Sequence, residues 1–400
     1  MMYNLLHNHI WRVCNGMKFK IVITPDSFKG TMSSLRVISI VKEAALRHFP
    51  EAEIVEVPIA DGGEGTVEAL VTACKGVYRE AEVLDPLGRP VRARYGIIKG
   101  NIAVIEMAEA SGLPLLKENE RNPLIATTFG TGQLIKAAMD EGIRDFIIGI
   151  GGSATNDGGV GALQALGISF KDYFGREIGF GGVNLKQLSD INLDNVDKRI
   201  SESRFTVMCD VSNPLTGLEG CSHVYGPQKG ADAIMIEQLE EAMINYRSVI
   251  KKIKGIDVDE IPGAGAAGGM GAGLVAFLNA VLKPGIDTIL DIVDFDSVVK
   301  DASLVITGEG RIDEQSAYGK VPVGIAKRAK IHGVCVIALC GSMGKNASKV
   351  YDCGIDSIMC TVNKDMTLQE ALSNAEYYLQ DASDRLMRFL KTGMKIALRE

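Results

Sequence analysis

Histidine is scarce, cysteine is unpaired, and no long apolar run occurs. The chain of 400 residues holds five histidines and eight cysteines: Cys14, Cys74, Cys209, Cys221, Cys335, Cys340, Cys353 and Cys360. No CxxC pair occurs, and no histidine lies near paired cysteines, so a zinc site is not expected. Scattered thiols without a disulfide spacing fit a reduced, cytoplasmic protein. No apolar run reaches the roughly 18 residues that span a bilayer. Positive charge is also in deficit. With 43 Lys and Arg against 50 Asp and Glu, the net charge is −7, which argues against nucleic acid or an anionic membrane as partner. The opening segment, MMYNLLHNHIWRVCNG, has no secretory cleavage pattern and is expected to be an N-terminal extension, residues 1–16. No fixed-period repeat is present.

What is abundant is glycine, 45 residues against a usual share of about 7%. The glycines cluster, so they mark loops of special backbone geometry rather than disorder. Many follow strand-like runs. KFKIVIT predicts a strand, with a helix capped at Ser33 or Ser34 and ending near His48, then a strand over Glu53–Val57 and a helix to about Lys75. Residues 77–107 alternate like short antiparallel strands around the turn DPLGRP. Strand-like pieces are expected at RFTVMCD and CSHVYG, and a helix over 231–254. After GAGAAGGMGAG, βα alternation resumes, and a helix is expected from Leu368 to about Leu390. The fold class is therefore α/β. A Rossmann-like doubly wound parallel-sheet domain is built from residues 17–76 plus 261–400, and a second α/β domain is inserted at 77–260.

Four glycine-bearing loops also carry charged or polar residues: PDSFKG (Asp26, Ser27, Lys29), GGSATNDGG (Ser153, Thr155, Asn156, Asp157), TGEGRIDEQS (Glu309, Arg311, Asp313) and CGSMGK (Ser342, Lys345). In open α/β sheets ligands bind beyond the carboxyl ends of strands, and glycine lets the backbone approach a phosphate. Lysine and aspartate together can hold a phosphate and Mg²⁺, which is what phosphoryl transfer requires. Each residue also has a plainer reading. Asp157 and Asp61 could be helix N-caps, Arg311 could pair locally with its acidic neighbours, and Lys29 and Lys229 could be ordinary loop lysines. A Walker A sequence is absent, because GSMGKN fails its spacing, and the protein-kinase HRD and DFG loops are absent too. GAGAAG at 263–268 matches GxGxxG by letter, but IDVDEIP precedes it in place of an apolar strand.

Ten segments in order resemble the type-1 glycerate kinase family: PDSFKG, ADGGEGT, DPLGRPV, IEMAEASGL, NPLIATTFGTGQLI, GIGGSATNDGG, CDVSNPLTG, YGPQKGA, PGAGAAGGMGAG and ITGEGRIDEQSAYGK. The resemblance covers about Met17 to Leu379 and implies ATP-dependent phosphorylation of D-glycerate with Mg²⁺, the 2-phosphate being favoured over the 3-phosphate as product. It places Asp26, Lys29, Asp61, Gly62, Gly63, Ser153, Asp157, Asp210 and Lys229 in shared motifs near a cleft. On that basis Asp157 is expected to accept the hydroxyl proton or, with Asp210, hold Mg²⁺. Lys29 would neutralise the moving phosphoryl group, with Asp61 and Asp210 as further metal or hydroxyl partners. Lys229 or Arg311 would meet the substrate carboxylate. Asp26, Ser27, Gly62, Gly63, Gly151, Gly152, Ser153 and Glu309 would line substrate or phosphate. Strand-end turns are expected to converge on one crevice. Small molecules are the expected partners, and a homodimer is compatible. The alternatives are a nicotinamide-linked oxidoreductase, resting on GAGAAG alone, or a non-catalytic small-molecule-binding protein.

Overall fold

The computed structural model describes residues 19–397, so the segment 1–16 lies outside the described residues. Strands along the described chain are β1 (Lys20–Ile23), β2 (Glu53–Glu56), β3 (Val77–Leu84), β4 (Pro90–Ile98), β5 (Ile102–Glu106), β6 (Asp145–Gly149) and β7 (Ser169–Asp172). They continue with β8 (Leu188–Asn192), β9 (Arg204–Met208), β10 (Val281–Lys283), β11 (Leu304–Ile312), β12 (Cys335–Met343) and β13 (Ser357–Cys360). The chain divides into two units, one running to Asp61 and resuming at Ile286, the other Gly62–Gly285.

The first unit holds a five-stranded sheet in the order β13-β12-β11-β1-β2, every neighbour parallel. Numbered by the unit's own sequence, that order is 2-1-3-4-5, a doubly wound arrangement whose switch point lies between β1 and β11. β1 is buried along its whole length. The helix Ser34–His48 presents Val37, Ile38, Val41, Ala44 and Ala45 to the core, and its N-cap Ser33 accepts from Arg36 N–H. The C-terminal region forms two helices, Leu368–Ser373 and Ala375–Ala397, where sequence periodicity predicts one. They separate at Asn374, whose backbone N–H bonds the Glu370 carbonyl and closes the first helix. Leu379, Ala382 and Leu386 are buried, whereas Leu368 stands exposed.

The second unit holds a six-stranded mixed sheet, β10-β9-β6-β5-β4-β3, and a β7-β8 hairpin. β3, β4 and β5 are antiparallel, as the alternation over 77–107 requires, while β5, β6, β9 and β10 run parallel. CSHVYG is helical, Cys221–Tyr225, not a strand piece: Val224 N–H and Gly226 N–H return to the Gly220 and Ser222 carbonyls. The division falls at 61/62 and 285/286, whereas the texture of the sequence puts it at 76/77 and 260/261. The helix Thr66–Ala73 packs on the second sheet so tightly that a Cβ at Gly96 would sit 2.4 Å from Val71 Cγ2. At the other boundary β10 extends the second sheet beside β9.

The GAGAAG stretch follows a 3-10 turn, Val258–Glu260, rather than a strand. It enters the helix Ala266–Leu278 through left-handed Ala267, Gly268 and Gly269. A Cβ at Gly268 would lie 2.1 Å from the Thr155 carbonyl oxygen, and one at Gly273 would lie 2.3 Å from that of Gly158. These glycines serve backbone-to-backbone packing. The strand-to-helix turn that a dinucleotide fingerprint needs is absent from this stretch.

Candidate active site

In the first unit the loop after β1 and the far end of β11 form one cluster at the switch point. Thr24 N–H and Asp26 N–H donate to the Ile306 and Gly308 carbonyls, so the PDSFKG loop leaves the sheet along β11. Gly310 lies beside this loop, a Cβ there falling 3.6 Å from Phe28 Cα, an ordinary contact distance. Asp26 is 4% exposed, and its Oδ1 accepts from Ser27 N–H at 2.7 Å. Burial, with the Asp61 carboxylate close by, pushes its pKa up to about 7. Lys29 Nζ donates to Asp61 Oδ2 at 2.5 Å. Partial desolvation works against its charged form, but Asp61, Asp26 and Glu309 outweigh that and hold Lys29 above the usual lysine range. Glu309 is buried, accepts from Ser316 Oγ at 2.6 Å, and is raised by its burial.

Three carboxylates, Asp26, Asp61 and Glu309, thus act electrostatically on one largely exposed ammonium. Arg311 Nε lies 3.4 Å from Asp313 Oδ2, the local pair that its acidic neighbours suggested, with its side chain 64% exposed. Asp313 in turn caps the turn Glu314–Tyr318.

In the second unit the loop after β6 is built inward. Asp157 accepts four hydrogen bonds: Thr128 N–H (2.8 Å), Thr128 Oγ1 (2.8 Å), Gly159 N–H (3.1 Å) and Gly161 N–H (3.2 Å). It is 1% exposed, and burial raises its pKa against those donors. Oδ2 takes three of these bonds and Oδ1 one, and together they hold the 157–161 turn against Thr128, the plainer capping role that the sequence allowed. Lys229 is also buried. Its Nζ donates to the Thr155 carbonyl at 2.6 Å, and burial pulls its pKa down to about 8. The ammonium is turned into the loop backbone.

The glycines of these loops serve packing as well. A Cβ at Gly149 would be 2.4 Å from the Gly62 carbonyl oxygen, and one at Gly151 would be 2.9 Å from Gly63 Cα. Gly152 and Ser153 are sewn to the 111–113 segment through Leu113 N–H to Gly152 O and a bridge between Gly112 and Ser153. Asp210, exposed just beyond β9, accepts from Gly285 N–H at 2.8 Å.

The structure therefore groups Asp26, Ser27, Lys29, Asp61, Glu309 and Arg311 in one unit. In the other, Asp157 and Lys229 join at the 153–161 loop, with Asp210 at the base of β10. Sequence reasoning missed Ser316 and Glu106. Ser316 sits inside the RIDEQS motif, but nothing local says that it reaches back to Glu309. Glu106, at the end of β5, accepts from Val67 N–H at 2.7 Å, and burial lifts its pKa to about 7. Its native proton is bound more tightly than the unfolded one, so stability falls as pH rises from about 4.5 to about 7. Glu106→Gln keeps the acceptor for Val67 and is expected to flatten that fall, worth on the order of 2–3 kcal/mol, in a series of thermal melts between those pH values.

No cluster of three or more His, Cys, Asp or Glu among the described residues could hold a metal by itself. Mg²⁺ in phosphoryl-transfer sites needs only one or two protein carboxylates, the remaining ligands being water and phosphate oxygens. The half-buried Asp61 carboxylate, beside Lys29, fits that demand. No helix among the described residues is long and apolar enough to cross a membrane.

Comparison with known proteins agrees along nearly the whole chain. A model of the glycerate kinase family matches residues 21–391. A glycerate kinase from Halalkalibacterium halodurans is 48% identical over 364 residues, which is 91% of this chain and 96% of the relative. A glycerate 2-kinase from Escherichia coli K12 is 47% identical over 379 residues, covering 94% of this chain and 100% of the relative. A crystal structure of a chain described as glycerate kinase 2, from Salmonella typhimurium LT2, superposes with a TM-score of 0.85 at 44% identity. It covers 94% of this chain and 100% of that one.

Proposed function

The chain belongs to the glycerate kinase family, and from that premise we propose that it transfers the γ-phosphate of ATP to the 2-hydroxyl of D-glycerate, with Mg²⁺. The observation that carries the chemical assignment is the cluster at the β1/β11 switch point: a carboxyl poised near neutrality beside a lysine paired with a second carboxylate. The near-half identity to a relative named glycerate 2-kinase favours the 2-hydroxyl over the 3-hydroxyl.

Phosphoryl transfer asks little covalent chemistry of the protein. It asks for charge neutralisation, alignment and a group to take the hydroxyl proton. Lys29, on an exposed turn, would neutralise charge on the equatorial oxygens of the moving group. Asp26 would take the proton: its oxygen Oδ1 carries one backbone hydrogen bond where Asp157 carries four in all, and its pKa lies near the working pH. Asp61 would hold Mg²⁺, which supplies electrostatic neutralisation of the phosphate chain when bound. Arg311 would meet the glycerate carboxylate, exchanging its long contact with Asp313 for a bidentate one. Asp157 and Lys229 would keep the 153–161 loop in shape.

A coupled assay of ADP release tests the activity. Release is expected to depend on D-glycerate and on Mg²⁺; equal release without glycerate would reject it. The role of Asp26 has a separate signature. With a base near 7, kcat/KM is expected to fall as pH drops below about 7, roughly tenfold per unit. Asp26→Asn is expected to lose that acidic limb along with most of the rate.

A further inference from the structure

Two thiols outside the proposed chemistry are brought together by the first sheet. In the parallel pair β12/β13, Cys340 lies in register with Cys360. Neighbouring strands run about 4.8 Å apart, which is inside the roughly 4.4–6.8 Å between Cα atoms that a disulfide spans. Both are free cysteines. The two differ in access, because Cys340 is fully buried while Cys360 is half-buried. They differ in acidity as well. The neighbouring Cys340 thiol holds Cys360 below the usual thiol range, and the Val362 and Met343 backbone groups and Arg385 assist. The Cys360 sulfur, then burial and the nearby Glu309, raises Cys340. An accessible thiolate backed by a protonated partner is the arrangement of an attacking and a resolving cysteine.

We propose that Cys360 and Cys340 form a reversible disulfide when the protein meets hydrogen peroxide or another hydroperoxide. The Cys360 thiolate attacks a peroxide oxygen: an S–O bond forms, the O–O bond breaks, and hydroxide leaves and is protonated to water. The Cys340 thiol, losing its proton, then attacks the Cys360 sulfenic acid. An S–S bond forms, the S–O bond breaks and a second water leaves. Two thiols are oxidised by two electrons and one hydrogen peroxide is reduced to two waters. A dithiol reverses the step by exchange.

The link lies one strand from the carboxylate cluster. Cys340 is in register with Glu309 on β11. The next residue, Gly341, is pressed on β11 so that a Cβ would lie 2.4 Å from the Gly310 carbonyl oxygen. In its protonated form Cys360 Sγ donates to the Gly341 carbonyl at 3.2 Å, a bond that ionisation and disulfide formation both remove. Oxidation therefore reaches the strand ends beside Glu309 and lowers turnover.

The test treats the reduced, full-length protein with hydrogen peroxide, blocks remaining thiols with iodoacetamide, and maps peptides by mass spectrometry without reductant. The expected result is one cross-linked pair carrying Cys340 and Cys360, two hydrogens lighter than the free thiols and abolished by dithiothreitol. Cys340→Ser is expected to leave Cys360 as a sulfenic acid trapped by dimedone, and Cys360→Ser to give no link. Glycerate-dependent ADP release should fall several-fold on oxidation and return with dithiothreitol. Oxidation of the exposed Cys335 ahead of Cys360, or over-oxidation of Cys360 with no link to Cys340, would overturn the proposal. The mass readout does not depend on the kinase reading: a linked protein that makes no phosphoglycerate would refute that function and leave this site standing.

Discussion

Lys29→Met is expected to lower kcat/KM for glycerate phosphorylation by about 10²–10³-fold while leaving the melting temperature nearly unchanged. The two halves of that expectation rest on different physics. Lys29 pairs with Asp61 on an exposed turn, the lysine side chain being 71% exposed, and an exposed pair contributes only about 0–1 kcal/mol to folding. In the reaction, by contrast, negative charge spreads over the oxygens of a phosphoryl group in passage, and a cation already in place stabilises that charge without reorganisation. Asp61, Asp26 and Glu309 keep the ammonium protonated throughout the physiological range. Steady-state kinetics with a thermal melt on the same preparation check both halves. A rate within a few-fold of wild type would remove Lys29 from the chemistry.

Asp157→Ala is expected to behave in the opposite way, as a stability variant. Removing the carboxylate orphans the backbone N–H groups of Thr128, Gly159 and Gly161 and the Thr128 hydroxyl in a site closed to water. Buried donors left without acceptors cost about 1–3 kcal/mol each, partly relieved by relaxation, so a loss on the order of 3–5 kcal/mol is expected. That corresponds to a melting temperature lower by roughly 10 °C for a unit of this size. Asp157→Asn should also destabilise, because its NH₂ group would face donors instead of accepting from them. Turnover measured well below the lowered melting temperature should survive in part. An unchanged melting temperature with abolished turnover would return Asp157 to a chemical role.

The contrast between these two residues shows what the sequence could and could not say. Lys29 and Asp157 both sit in glycine-bearing loops after strands, and each had a chemical and a plainer reading. The capping reading of Asp157 was available locally. Its main partner, Thr128, lies on another segment, and no local spacing reveals that contact. The surroundings of Lys229 were hidden for the same reason. YGPQKGA reads as a solvated loop, and only the packing shows the ammonium turned inward onto the Thr155 carbonyl. The doubly wound first unit was legible because β1, β11 and β12 are short apolar runs punctuated by glycine loops. Its extent was less so. The helix Thr66–Ala73 follows β2 in the chain as a βαβ helix would, yet it lies on the other sheet, where Gly96 leaves room for Val71. Likewise the glycines at 149, 151, 268 and 273 are positions of close approach, and what approaches is the protein's own backbone.

The identity of the product tests the proposed transfer most directly. Phosphorus NMR of a reaction containing this protein, ATP, Mg²⁺ and D-glycerate is expected to show the phosphomonoester of 2-phosphoglycerate growing as ATP is consumed, and no such signal when glycerate is omitted. ATP consumed without a phosphoglycerate signal, or a phosphate placed on the 3-hydroxyl, would contradict it.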